Sequence, residues 1–263
     1  MDREHKHELL IQSIDYLSHE RDFHVEKSTD TNRLWETFRA LVNTRPAEPA
    51  QNDFLQLQDE LLQGMIAEKG IATLEDTSAS PLNERVSLWR GDITTLAVDG
   101  IVNAANNQML GCHVPGHKCI DNAIHTFAGV QLRLECAAFM AKQGHPEPTG
   151  SAKITKAYNL PSQYILHTVG PITTGAPTQA QCDELASCYT SCLDLAEQKG
   201  LRSLAFCCVS TGMFGFPDQK AAEIAVATVL EWLSAHPTSP MHVVFDVYLS
   251  TDETIYKELL KLA

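Results

Sequence analysis

Basic side chains are scarce in this chain. Lys and Arg number 20 against 33 Asp and Glu, so the 263 residues carry a formal net charge of -13. Such a surface repels a phosphate backbone or an anionic bilayer, so no nucleic-acid partner and no membrane partner is expected. One small anion, held by local backbone dipoles, is still allowed. No apolar run approaches a bilayer span. The start, MDREHKHELL, has no basic stretch leading into an apolar one, so no secretory signal is expected there. Internal repeats and low-complexity tracts are lacking. The phosphate-binding Gly-Lys-Ser/Thr ending and the G-x-G-x-x-G fingerprint are lacking too. The eight cysteines are spread over a chain long enough to bury its own core, and two of them, Cys207 and Cys208, are adjacent. Reduced thiols in a cytoplasmic setting are expected rather than a disulfide framework.

What is present reads as an ordinary globular chain, 44% hydrophobic and 20% charged. Its length suits one main domain with an appendage. Residues 1–80 predict a helical extension. Leu9, Leu10, Ile14 and Leu17, then Leu34, Phe38, Leu41 and Val42, then Leu55, Leu57, Leu61, Leu62, Met65 and Ile66 make three apolar stripes at helical spacing. RPAEPA (45–50) separates the second from the third, and Gly70 ends the third. Either a cap over a site or partner, or a plain appendage packed on the main domain, fits this pattern. His5, His7, His19 and His24 lie among charges and read as solvated. A Ser/Thr/Asp-rich linker is expected over 75–84.

Residues 81–263 alternate. VSLWR, VDGIVNAA, AKITKAY, YILHTVG, LAFCCVS and MHVVFDVYLS predict strands, several apolar enough for burial on both faces. Helices are expected near 120–142, 178–199, 218–236 and 252–262. Such alternation predicts an α/β layered domain with a largely parallel sheet, whose ligands sit beyond the carboxyl ends of the strands.

The unusual loops fall there. Asp92, in RGDIT after the first strand, either accepts a hydrogen bond from an exocyclic amine or caps its own turn. Asn103, Asn106 and Asn107 end a buried strand, where amides suit sugar hydroxyls or satisfy a turn. Ser210 to Pro217, STGMFGFP, joins a strand to a helix, and its glycines and amides make either an anion cradle or a tight connection. Phe214 and Phe216 face a base or ribose, or lie in the core. GCHVPGHKCIDN (111–122) puts two Cys and two His within eight residues. Cys112, His117 and Cys119 form a zinc-ligand set with an open fourth position, provided Pro115 and Gly116 fold the loop back. His113 or Asp121 as a fourth ligand makes a closed structural site instead, and a Cys112–Cys119 disulfide or no ligand at all are the remaining readings. The other cysteines (136, 182, 188, 192, 207 and 208) read as small core residues. His125 and His167 read as hydrogen-bonded core histidines.

Six segments in one order, GDIT (91–94), VNAAN (102–106), IDNAIH (120–125), PTGSAKIT (148–155), ILHTVGP (165–171) and STGMFGFP (210–217), resemble the macrodomains, the ADP-ribose-binding α/β family. The resemblance covers roughly residues 86–250 and implies a three-layer α/β/α fold with a mixed, largely parallel sheet. Where the common hydrolytic members have a short glycine run, this chain has CHVPGHKC (112–119). That insertion is similar to the zinc-containing macrodomains of bacteria and some lower eukaryotes, which share the N-terminal helical extension. Many of those are encoded beside a sirtuin-type ADP-ribosyltransferase. The resemblance implies that Asp92, with the Ile93 amide, reads the adenine amine. It implies that Ser210, Thr211, Gly212, Met213 and Phe214 cradle the diphosphate. Asn106, with Asn103 behind it, then positions the distal ribose. Cys112, His117 and Cys119 hold one Zn2+ per chain, and Ile120 and Asp121 lie near the scissile bond, with Asp121 and Asn106 the expected catalytic pair. The implied activity is hydrolysis of the bond between mono-ADP-ribose and a modified protein, a lipoyl-carrier protein in the sirtuin-linked subgroup, with ADP-ribose as product. Three other readings use the same residues: an ADP-ribose reader without turnover, an interaction protein with a structural zinc, and an O-acetyl-ADP-ribose deacetylase.

Overall fold

A computed structural model of the chain describes residues 1–22 and 24–262. The three apolar stripes become α1 (Arg3–His19), α2 (Thr31–Thr44) and α3 (Asn52–Lys69). The Asp2 carboxylate accepts from His5 N–H at 2.8 Å and caps α1, and Asp30 accepts from Asn32 N–H at 2.9 Å at the start of α2. Both caps satisfy amides that a helix start leaves without partners.

Seven strands follow: β1 (Ser78–Ala79), β2 (Val86–Arg90), β3 (Gly100–Ala104), β4 (Ala152–Lys156), β5 (Tyr164–Thr168), β6 (Ser203–Phe206) and β7 (His242–Val247). They form one sheet in the order β1-β2-β7-β6-β3-β5-β4. The five inner strands are parallel, and only the edges β1 and β4 run antiparallel. The inner strands β3, β6 and β7 are buried on both faces, as their unbroken apolar runs predict. The six expected strands are all present. β1 was not expected: it lies inside the stretch read as a linker and pairs with β2 through Ser78–Leu88 and Ala79–Ser87.

The helices of this layer are α4 (Ile120–Ala128), α5 (Val130–Gln143), α6 (Gln179–Gln198), α7 (Asp218–Ala235) and α8 (Ser250–Leu260). α6, α7 and α8 pack side by side against the sheet. α4 and α5 cover β3 and β4, with α2 and α3 packed outside α4. The helix expected over 120–142 is two helices. Gly129 breaks it at φ 101°, and the Gln58 carboxamide of α3 occupies the space a Cβ would need, its nitrogen 2.6 Å away. Gln58 Oε1 accepts from Val130 N–H at 2.9 Å and so caps α5 from another helix. Leu10, Leu17, Phe38 and Leu61 of the first three helices belong to the same buried cluster as Val102, Leu166 and Phe245 of the sheet.

Candidate active site and metal-ligand cluster

The site is assembled at the carboxyl ends of β2, β3 and β6, where parallel sheets leave room for ligands. β2 ends at Arg90, and the chain turns at Gly91 into a short helical turn, Ile93–Thr95. Asp92 caps that turn, accepting from Thr94 N–H at 3.1 Å and Thr94 Oγ1 at 2.6 Å. Its other oxygen accepts from Lys69 Nζ of α3 at 2.7 Å. Burial pushes the Asp92 carboxyl up, but the hydrogen bonds from Lys69 and Thr94 outweigh it and hold the group below the usual carboxylate range. Lys69 also sits 3.6 Å above the Phe127 ring. An open groove of about 500 Å³ lies beside Asp92, lined in part by Lys69, Ile71, Trp89 and Gly91.

β3 delivers the two asparagines. Asn103 is fully buried and donates to Asp121 Oδ1 at 2.8 Å. The same amide lies 3.1 Å from Nδ1 of His167, its neighbour across the β3–β5 pairing, and Thr155 Oγ1 holds the other ring nitrogen at 2.9 Å. Asn106, just past the strand, donates to Asp121 Oδ2 at 3.3 Å and to the Gly111 carbonyl at 3.0 Å. Two amides from one strand end thus grip both oxygens of one carboxylate. Asp121 stands in the first turn of α4 and is 5% exposed. Burial raises its pKa to about 6, while hydrogen bonds from Asn103 and Asn106 and the charge of Arg133 restrain the rise.

The Cys-His loop folds back as the open zinc-ligand reading requires. Cys112, His117 and Cys119 bring their ligand atoms within 4.8 Å of one another. Cys112 Sγ is 3.6 Å from His117 Nδ1. Tetrahedral zinc with thiolate and imidazole ligands places such donors about 3.5 Å apart, so the set fits that ion. Among the described residues, neither His113 nor Asp121 completes this cluster, so a closed four-ligand site is not formed. Both cysteines are free thiols. Burial pushes the Cys119 thiol up to about 12, with Cys112 and Asp121 adding to the rise, an ionisation cost that a bound dication offsets. At the start of this loop, Gly111 has φ 78°, and a Cβ there would meet the His125 ring at 2.7 Å.

The third loop follows β6. Ser210 takes a left-handed backbone at φ 68°, costly outside glycine and a mark of an over-determined turn. Its hydroxyl is buried without a partner among the described residues. Phe216 N–H donates to the Ser210 carbonyl at 3.0 Å and Gly215 N–H to that of Gly212 at 3.1 Å, closing a compact arch over Thr211, Gly212, Met213 and Phe214. Met213 is exposed, Phe216 is core, and Phe214 packs on a small cluster of Ala105, Met109 and Val169.

Several site residues carried no signal in the sequence. Lys69 of α3 reaches Asp92, and Arg39 and Asn43 of α2 reach the Cys-His loop, because distant helices fold onto them. His125 differs from the hydrogen-bonded core histidine expected: it is buried 3.5 Å from Asp121 Oδ1, yet neither ring nitrogen has a hydrogen-bond partner among the described residues. His167 is the bonded core histidine expected. Cys136, Cys188, Cys192 and Cys207 are buried, while Cys182 and Cys208 are partly exposed.

A mixed seven-stranded sheet between helices, with an acidic strand-end loop, paired asparagines and a left-handed arch at one end, defines a macrodomain. The model of the Macro domain matches residues 102–225. A protein-ADP-ribose hydrolase of Treponema medium is 52% identical over 259 residues, covering 96% of this chain and 98% of that protein. A protein-ADP-ribose hydrolase of Staphylococcus aureus (strain MRSA252) is 48% identical over 227 residues, covering 86% and 84%. The crystal structure of the Trypanosoma brucei macrodomain in complex with ADP-ribose is 30% identical with a TM-score of 0.63, covering 90% of this chain and 97% of that one. The chain belongs to the macrodomain family.

Proposed function

We propose that this chain hydrolyses the bond between ADP-ribose and a modified protein, using one zinc ion held by Cys112, His117 and Cys119. The chain is a hydrolase of ADP-ribosyl linkages, in keeping with its relatives near half identity. The observation that carries the zinc-dependent reading is local. A carboxylate gripped by two amides stands two residues past Cys119, which with Cys112 and His117 forms a donor set at zinc-ligand spacing.

Each loop has a separate task. Asp92, ionised and oriented by Thr94 and Lys69, accepts the adenine amine. The arch from Ser210 to Phe214 offers backbone amides to the diphosphate, which lets a chain of net charge -13 hold a dianion. Asn106 positions the distal ribose, and Asn103 fixes Asp121 behind it. Asp121 orients a water and takes its proton as the C1 bond to the protein breaks. The water oxygen stays on the ribose, and the departing group of the protein takes a proton in return. Such general-base assistance contributes about 10²–10⁴-fold. Held by Cys112, His117 and Cys119, zinc would supply Lewis acidity, which lowers the pKa of a water to about 7. Among protein substrates, a lipoyl-carrier protein modified by a sirtuin-type transferase is the one the family resemblance implies.

The deciding experiment is turnover of a mono-ADP-ribosylated protein before and after chelation, with metal content measured in parallel. Activity that needs one zinc per chain and returns on zinc addition supports the proposal. Full turnover by metal-free protein removes zinc from it. ADP-ribose binding without turnover in any form makes the chain a reader instead. Cys119→Ala and Asp121→Ala are each expected to lose at least 10²-fold in turnover, with ADP-ribose binding retained.

A further inference from the structure

The helical extension touches the Cys-His loop at defined atoms. Arg39 and Asn43 stand one turn apart on α2, on one face of the helix. An Arg39 guanidinium nitrogen donates to the His117 carbonyl at 3.2 Å and to Asn122 Oδ1 at 2.9 Å. Asn43 Oδ1 accepts from Gly116 N–H at 3.0 Å, and its amide donates to Thr126 Oγ1 at 2.9 Å. The contacts continue inward. Thr126 Oγ1 donates to the Asn122 carbonyl at 2.7 Å, and the Asn122 amide donates to the carbonyls of Val114 at 3.1 Å and Cys112 at 3.4 Å. Asn122 N–H points at Cys119 Sγ at 3.4 Å. Asn43, Asn122 and Thr126 are all buried, so these bonds form where unpaired groups are costly.

α2 is itself fixed in place. Trp35 packs on Phe127 of α4 with ring centroids 5.5 Å apart. Arg133 of α5 donates to the carbonyls of Val42 at 3.0 Å and Arg45 at 2.5 Å, and its Nε to Leu110 at the root of the loop at 2.8 Å. None of the bonds from Arg39 or Asn43 reaches a ligand atom. Arg39 acts on the His117 carbonyl and on Asn122, and Asn43 on the Gly116 amide and, through Thr126, on Asn122, the groups that set where His117 and Cys119 stand. Without them, a loop carrying Pro115 and Gly116 has no other hydrogen-bonded wall on its outer side among the described residues.

We infer that Arg39 and Asn43 are positioning residues for the Cys112–His117–Cys119 cluster, so that the N-terminal helices are a working part of the hydrolytic site. This rests on the zinc reading above. Outer contacts of this kind typically change metal affinity 10–100-fold.

The test uses the full chain and three variants, Arg39→Met, Arg39→Lys and Asn43→Ala. Each is confirmed folded by circular dichroism before measurement. Arg39 is half-buried at the surface of α2, so its variants keep the question open should Asn43→Ala fail to fold. Three quantities are read: zinc affinity by competition with a chromogenic chelator, the visible absorption of the Co2+-substituted protein, and amide hydrogen exchange of residues 111–119. Arg39→Met and Asn43→Ala are expected to bind zinc roughly 10–100-fold more weakly. They should also shift the Co2+ bands and speed exchange in 111–119 while α6 and α7 exchange as before. Arg39→Lys, keeping the charge but not the fork, should fall between. Wild-type values for all three readouts, whatever happens to the melting temperature, overturn the inference. Should the wild-type chain take up no metal, the zinc reading fails by itself. Loop exchange then decides alone, faster in the variants for positioning and unchanged against it.

Discussion

Asp121 shows how a single side chain takes its character from its neighbours. Burial drives its pKa up to about 6, and two asparagine amides plus Arg133 stop it rising further. The group therefore stays largely ionised near neutrality while remaining basic enough to accept a proton. Asp92 goes the other way, because Lys69 and Thr94 donate directly to its oxygens. An acceptor held ionised favours a donor such as an adenine amine. A hydrogen bond to a charged group is worth about 1.5–3 kcal/mol. Asp92→Ala is thus expected to weaken ADP-ribose binding roughly tenfold to hundredfold, measured calorimetrically. Affinity within a factor of two of wild type would take Asp92 out of the nucleobase site. In the sequence Asp92 admitted two readings, a ligand acceptor or a turn cap. The structure shows the cap, and the binding measurement tests the second role beside it.

At the scale of elements, the joint between α4 and α5 explains why the site and the extension are coupled. The apolar pattern runs on from Ile120 to beyond Phe139 and reads as one helix. Gly129 interrupts it, and Gln58 from α3 enters the gap to cap α5. α4 therefore ends at Ala128, and its first turn sets Asp121 against Asn103 of β3. Gly129→Ala forces an L-residue into a positive φ and drives a Cβ against the buried Gln58, so a loss of about 1–3 kcal/mol is expected. Urea unfolding would measure it, and a change under ~0.5 kcal/mol would mean the joint is not strained. The existence of α1, α2 and α3 was legible because each has its own stripe, and RPAEPA (45–50) and Gly70 marked where the second and third stop; the break between α1 and α2 carried no such signal. β1 was not, because a two-residue edge strand has no periodicity and exists only through its pairing with β2.

For the whole molecule, one buried cluster runs from α1 through the sheet to α8, so stability is a property of the chain rather than of its parts. The buried histidines give this a pH signature. Burial holds the His167 pKa down to about 3 and that of His125 well below its ordinary value. The unfolded chain protonates these rings below about pH 6.5, whereas the folded chain does not. Their contribution is therefore intact above that pH and is lost as pH falls toward 3. Asp121 and Asp246, both raised by burial, take up protons in the folded state and offset part of this loss. The clean measurement is a difference. Between pH 6 and pH 5, metal-free wild type should lose about 1.4 kcal/mol per pH unit more than His167→Gln, the slope of one proton. Parallel curves would show that His167 is protonated in the fold.

Hydrophobic period and Pro/Gly turn residues are local, and they alone determined that three helices precede an α/β layer and that the unusual loops follow its strands. The family was legible for the same reason: its motifs are contiguous runs placed at strand ends. The Cys112, His117 and Cys119 set was legible because eight residues contain it. Tertiary structure alone decided that His113 and Asp121 stay out of that cluster, that His125 sits buried without a hydrogen bond, and that Lys69, Arg39 and Asn43 serve loops 23 to 83 residues away. The physical reason is that a hydrogen bond reads distance in space. Nothing in a helical stripe around Phe38 records that its polar side will lie against a loop near residue 117 until the apolar side has docked.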